Sequence, residues 1–270
     1  MAPAMAAGAS AASDRPWDLG GSIVDATIAG EVWPYIDTRA EGPVLVMLPG
    51  SVGTCEMFYK QIAALGERVR IISVSYPAVA DPARLADGLA GLLDHLGLPR
   101  ASVLGSSFGG YWAQFFALRH PRRLDHLFLG NIFVTPDELF ANPLFEPGFI
   151  ASTSAPDLQA TWRQRVEQAP DSELKRIQLA MLSGRQSADN LKARFEGVAA
   201  ATLCPPLPIP AERITVIDCE DDPIIPLRSR QAVHDHYAGA HLHTLQTGGH
   251  YPHILNPRAY NAVITGRLFR

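Results

Sequence analysis

Gly105-Ser106-Ser107-Phe108-Gly109-Gly110 follows the apolar run Ala101 to Leu104 and precedes the helical pattern Tyr111 to Leu118. It is a G-x-S-x-G string in strand, turn, helix context. A nucleophile on so sharp a turn sits at a strained backbone angle, so the residues two before and two after it must be small. Ser107 is the expected nucleophile, its hydroxyl raised above the strand end, while Ser106 faces inward or packs locally. The helix starting behind Ser107 offers unpaired N–H groups and the positive end of a dipole, both of which favour a developing oxyanion.

A serine at neutral pH needs a base, and the base needs a group to orient it. Downstream, the apolar run Ile214 to Ile217 leads into Cys219-Glu220-Asp221-Asp222-Pro223-Ile224-Ile225-Pro226, and the run His241 to Leu245 leads into Gly248-Gly249-His250-Tyr251-Pro252-His253. Distance from the strand end favours Asp222 as the acid, with Asp221 the alternative. His250 is favoured over His253 because it directly follows the glycine pair. The order Ser107, Asp222, His250, each at the C-terminal end of a strand, suits an open α/β sheet whose site lies along that rim.

Working outward, short apolar runs alternate with amphipathic stretches, the pattern of βαβ units and a mostly parallel sheet flanked by helices. The run Val44 to Leu48 lacks polar alternation, as a strand covered on both faces should. Val69 to Val74 and His126 to Leu129 are further strands, and 23–36 reads as an antiparallel hairpin at the start. Met57 to Leu65, Leu85 to Leu96, Arg228 to Tyr237 and Ala259 to Leu268 carry helical spacing. Residues 135–207 break the rhythm: no strand, amphipathic helices around Trp162, Leu174, Met181 and Phe195, then the Pro-rich stretch Cys204 to Pro210, which suits an extended linker. The expected organisation is a disordered tail over 1–15, an α/β core over 16–134 and 208–270, and a helical insertion over 135–207 after the sixth strand.

The 270 residues are 47% hydrophobic and 19% charged, with a net charge of −4, and a pI near 6.1. This is the composition of an ordinary globular protein, and it carries no basic footprint for nucleic acid or an anionic membrane. No apolar run reaches the roughly 18 residues a bilayer span needs. Cys55, Cys204 and Cys219 have neither disulfide-framework nor zinc spacing. The first 13 residues lack the cationic start and apolar middle of a signal peptide, so a cytoplasmic protein is expected. His241 and His243 would share one strand face, but no ligand joins them at metal spacing, and neither metal nor cofactor is expected.

These motifs make the chain resemble the α/β-hydrolase superfamily from about residue 40 to the end. Within it the chain is most similar to the maspardin branch, through Leu48-Pro49-Gly50, Ser75-Tyr76-Pro77, Leu92-Leu93-Asp94-His95-Leu96 and Thr247-Gly248-Gly249. The resemblance implies an α/β-hydrolase fold with a cap, in a branch that includes members thought to act as binding adaptors. Animal members of that branch carry Asn where this chain has His250, a departure toward catalysis. A second departure is Pro49-Gly50, where hydrolases usually read His-Gly. The oxyanion donors are then expected to be the backbone N–H groups of Phe108 and Ser51, with Val52 the neighbour of Ser51.

The expected activity is hydrolysis of an ester, thioester or activated amide of a small to medium lipophilic molecule, by a monomer or homodimer. Val52, Trp112, Phe140, Phe145 and Phe149 are candidate substrate contacts, and Leu144, Trp162, Met181 and Leu182 are further apolar insertion residues able to line a pocket. A non-hydrolytic binding protein, or a biosynthetic acyltransferase, lyase or cyclase on the same fold, is the competing expectation.

Overall fold

The computed structural model describes residues 17–19 and 22–269; the expected tail lies outside them. Eight strands, β1 (Val24–Ile28), β2 (Glu31–Asp37), β3 (Val44–Leu48), β4 (Arg70–Val74), β5 (Ala101–Ser106), β6 (Leu124–Gly130), β7 (Ile214–Cys219) and β8 (His241–Leu245), form one sheet. Their order is β1-β2-β4-β3-β5-β6-β7-β8. β1 and β2 make an antiparallel hairpin, β2 runs antiparallel to β4, and every later pairing is parallel.

Helices α1 (Tyr59–Leu65), α2 (Pro82–His95) and α3 (Phe108–Arg119) precede β6; α4 (Pro147–Ser152), α5 (Ala155–Gln168), α6 (Glu173–Ala180) and α7 (Ala188–Ala199) fill the segment between β6 and β7; α8 (Leu227–His236), α9 (Pro252–Leu255) and α10 (Pro257–Leu268) follow. The strand period sorts β3 between two cores. Leu45 and Met47 join Phe58, Tyr260 and Ile264 on one face, while Val46 and Leu48 join residues of α2 and α3, including Leu89 and Trp112, on the other. A strand wetted on neither face has no use for polar alternation, which is why this run is apolar throughout. α2 begins where Asp81 accepts hydrogen bonds from the N–H groups of Ala83 and Arg84, with Pro82 in the first turn, satisfying donors that the helix itself leaves unpaired.

All the parallel strands deliver their C-terminal ends to one rim. Ser107, Asn131, Asp222 and His250 follow β5, β6, β7 and β8 there. Among the described residues no helix is long and apolar enough to cross a membrane.

Candidate active site

Ser107 occupies the turn from β5 into α3 with φ 53° and ψ −124°, a positive φ that a side chain adopts only under constraint. The constraint is visible. The Ser107 N–H donates to Gly130 O at 2.8 Å, and the Tyr111 N–H to Ser107 O at 2.8 Å. A Cβ on Gly105 would stand 2.4 Å from Gly109 O, and one on Gly109 would stand 2.4 Å from Pro49 O. Only glycine fits either place. Ser107 precedes the first residue of α3, yet its hydroxyl does not cap the helix; it faces a cavity instead.

That cavity, about 390 Å³, is lined by Ser107 and His250 together with Ser51, Val52, Phe145 and Trp162. Behind His250 stands Asp222. The ring Nδ1 lies 2.9 Å from Asp222 Oδ2 and 3.2 Å from Oδ1. The Asp222 side chain is 0% exposed, and its oxygens also accept from the N–H groups of Ile224 (2.8 Å) and Ile225 (3.0 Å) and from Asn131 Nδ2 (2.7 Å). Burial pushes the Asp222 pKa up, but the His250 charge, the hydrogen bond from His250 and those from Ile225 and Asn131 outweigh it and hold the carboxyl below its ordinary value. A carboxylate with this many donors stays ionised. Asp221 is used otherwise: it accepts from the Gly248 and Gly249 N–H groups at 3.2 and 2.8 Å, tying down the histidine loop.

Asn131 is a residue that no motif in the sequence marks. Directly after β6, at φ 47°, it spans Asp222 and the loop after β8, its Nδ2 reaching Asp222 Oδ2 and, at 3.1 Å, Gly249 O. Asn tolerates positive φ better than most residues, and that tolerance at a strand end was the available signal.

The loop Pro49–Gly53 lies on the other side of Ser107. A Cβ on Gly50 would lie 3.1 Å from Ser107 Cβ, so glycine allows the close approach. Two side chains from the segment between β6 and β7, Gln186 and Arg194, hold this loop, and a third, Asn190, braces Gln186; no sequence signal pointed to them. Gln186 accepts from the Gly53 N–H (2.9 Å) and donates to Ser51 O (2.8 Å) and Asn190 Oδ1 (2.9 Å). Asn190 donates to Tyr76 O at 2.7 Å. Arg194 donates to Gly50 O and Gly53 O, each at 2.7 Å.

Of the expected substrate contacts, Val52 and Phe145 line the cavity; Trp112, Phe140 and Phe149 are not among its lining residues. Trp112 is 0% exposed and packs edge-on against Tyr76 at 5.3 Å. It lies one helical turn after Phe108, whose ring also packs on Tyr76, so the same helix face buries both. Phe108 is thereby left with only its backbone N–H, in the first turn of α3, to offer the site. Phe140 and Phe149 pack, partly buried, against the core, as does Leu144; Met181 and Leu182 are buried. Trp162 joins Phe145 on the cavity wall. Val166, Leu174 and Phe195 add apolar lining from α5, α6 and α7, Ile224, Tyr251 and Leu255 add more from the other side, and Arg165 is the one Lys or Arg among the lining residues.

His253 sits in the core, 2% exposed, its ring centroid 4.9 Å from that of Phe58. Burial, assisted by the His250 charge, pushes its pKa down to about 3. The unfolded chain binds this proton more readily than the folded one, so the stability concerned is complete above pH of about 6.5 and drains as pH falls toward about 3, with about 2 kcal/mol lost by pH 5. Urea unfolding of wild type and His253→Leu at pH 7.5 and pH 5 measures it. The variant should lose less stability on acidification; equal losses would contradict the assignment. The thiols of Cys55, Cys204 and Cys219 are buried and pushed up to about 12 mainly by that burial, so none is a ready nucleophile. β8 forms one edge of the sheet and carries His241 and His243. Among the described residues no group of three or more His, Cys, Asp or Glu could hold a metal ion.

Residues 45–263 match the family described as the alpha/beta hydrolase family. Maspardin of Homo sapiens is 25% identical over 258 residues, covering 87% of this chain and 78% of that protein. The 3-oxoadipate enol-lactonase 2 of Acinetobacter baylyi is 25% identical over 245 residues, covering 84% and 88%. Among solved structures, the enol-lactonase from Burkholderia xenovorans LB400 superposes with a TM-score of 0.74 at 20% identity, covering 92% of this chain and 100% of that one. This last likeness concerns the fold.

Proposed function

The chain belongs to the alpha/beta hydrolase family, and we propose that within it this protein is a serine hydrolase acting on an ester, thioester or activated amide of a small to medium lipophilic molecule. The observation that carries the proposal is the His250–Asp222 pair, its ring opening on the same cavity as Ser107.

In the proposed reaction the substrate carbonyl enters the cavity above Ser107. His250 takes the hydroxyl proton as Oγ attacks the carbonyl carbon, and Asp222 stabilises the imidazolium that forms. The negative charge moves to the carbonyl oxygen, where the Phe108 and Ser51 N–H groups receive it, each donor typically worth about 3 kcal/mol in such a hole. His250 then protonates the leaving group, and the bond between it and the acyl carbon breaks. Water, deprotonated by His250, releases the acyl group and regenerates Ser107. Residues 135–207 act in this reading as a cap: Phe145, Trp162, Val166, Leu174 and Phe195 favour an apolar acyl or aromatic group.

Treatment with a fluorophosphonate probe tests the class. Stoichiometric phosphonylation at Ser107, followed by turnover of aryl esters with an optimum at a short or medium acyl chain, is expected. No labelling of folded protein would overturn the reading. The likeness to maspardin supports a second one, a binding protein whose pocket holds a ligand without turnover; it requires ligand binding with neither labelling nor hydrolysis.

A further inference from the structure

We propose that Arg194 is a positioning residue of the Ser107 reaction: clamped on the carbonyls of Gly50 and Gly53, it turns the Ser51 N–H toward the nucleophile and strengthens it as an oxyanion donor. The proposal rests on the serine-hydrolase reading above and adds to it a residue of the helical insertion.

Arg194 is 1% exposed, and among the described residues it forms no ion pair with a carboxylate. Its partners are the two carbonyls, at 2.7 Å each, and the ring of Tyr76, whose centroid lies 3.8 Å from the guanidinium carbon. Burying a cation without a counter-charge is costly, so packing between α7 and the core does not by itself account for an arginine here. What the guanidinium adds is a donor held on two carbonyls of one loop.

A trans peptide is planar, with its C=O and the following N–H pointing to opposite sides, and the described chain has no cis peptide. When Arg194 holds Gly50 O, the Ser51 N–H of the same peptide must point away from Arg194. The nucleophile lies against this glycine: a Cβ on Gly50 would stand 3.1 Å from Ser107 Cβ and 3.7 Å from Oγ. The same logic applies one peptide on, where Gln186 Nε2 holds Ser51 O at 2.8 Å and so turns the Val52 N–H away from Gln186. The Tyr76 hydroxyl fixes the start of the loop by donating to Pro49 O at 2.8 Å. A full positive charge on the oxygen end of the Gly50–Ser51 peptide also polarises it, making its N–H a stronger donor to a developing anion.

The test is steady-state hydrolysis of an aryl ester by Arg194→Met, Arg194→Lys and Arg194→Ala, with binding of a phenylboronic acid as the tetrahedral mimic. Arg194→Met should lower kcat on the order of 10²-fold and leave KM within about threefold, with boronate affinity falling alongside kcat/KM. Arg194→Lys should recover part of kcat. Guanidinium ion at millimolar concentration should recover part of it in Arg194→Ala, because Arg194 also lines a cavity of about 430 Å³ shared with Gln186 and Asn190 through which the ion can enter. If these variants do not fold, Gln186→Leu takes their place, with an expected drop in kcat of about tenfold at unchanged KM. A kcat within about threefold of wild type would overturn the proposal, as would losses that neither lysine nor guanidinium relieves. An unlabelled, inactive wild type would instead overturn the serine-hydrolase reading, so the two failures are distinct.

Discussion

Ser107→Ala is expected to lower kcat for an aryl ester by on the order of 10⁴- to 10⁶-fold and to abolish fluorophosphonate labelling, while leaving the protein folded. The size of the effect follows from covalent catalysis: without Oγ no acyl-enzyme forms, and only direct attack by water remains. The fold should survive because the hydroxyl neither caps α3 nor carries the turn, which is held by the Ser107 N–H on Gly130 O and by the steric demands of Gly105 and Gly109. Alanine accepts a positive φ about as poorly as serine, so the strain at 107 is nearly unchanged. Single-turnover assays and a thermal melt of the same preparation measure both parts. More than a tenth of wild-type activity in the folded variant would remove Ser107 from the chemistry.

Asp222→Asn should cost on the order of 10⁴-fold in kcat with a smaller change in KM. The reason lies in the donors around the carboxylate. Oδ1 accepts from the Ile224 and Ile225 N–H groups, and Oδ2 from Asn131. An amide can place its oxygen toward only one of these sets, and its NH₂ then opposes either Asn131 or the two backbone donors. If the oxygen stays with Ile224 and Ile225, the NH₂ faces both Asn131 and His250 Nδ1, which favours the ring tautomer with its proton on Nε2. That tautomer cannot accept from serine. The variant should also be less stable, since a buried donor is left facing a donor. Asp221→Asn is the contrasting substitution: among the described residues its oxygens accept hydrogen bonds from the Gly248 and Gly249 N–H groups alone, so a loss of at most about tenfold is expected. Measured kcat values that reverse this ranking would move the acid to 221.

The elbow was legible because steric demand is written locally: two glycines around a serine, after an apolar run and before a helical period, leave few other conformations. The placement of Asp222 and His250 at strand ends was legible for the same reason, each following its own strand. Choosing between Asp221 and Asp222 was less direct, because adjacent carboxylates in a turn differ in sequence only by one position. In the structure they part company: one turns inward to His250 and Asn131, the other outward to the backbone of the histidine loop.

Trp112 marks the limit of the sequence reading in the other direction. A large aromatic beside a nucleophile invites a substrate role, but its helix phase places it with Phe108 on Tyr76, and phase relative to a neighbouring element is settled by packing. Arg194, Gln186 and Asn190 were invisible for a related reason. Gln186 and Arg194 lie more than 130 residues from the loop residues they hold and Asn190 more than 110 from Tyr76, and α7, which carries Asn190 and Arg194, reads in sequence as one more amphipathic stretch. Local rules of backbone conformation and period set the strands, the elbow and the order of the three polar residues. Which carboxylate meets the imidazole, and which distant side chains hold the loop over the serine, depended on long-range packing, because those contacts are selected by how helices dock on the sheet and not by any neighbour in the chain.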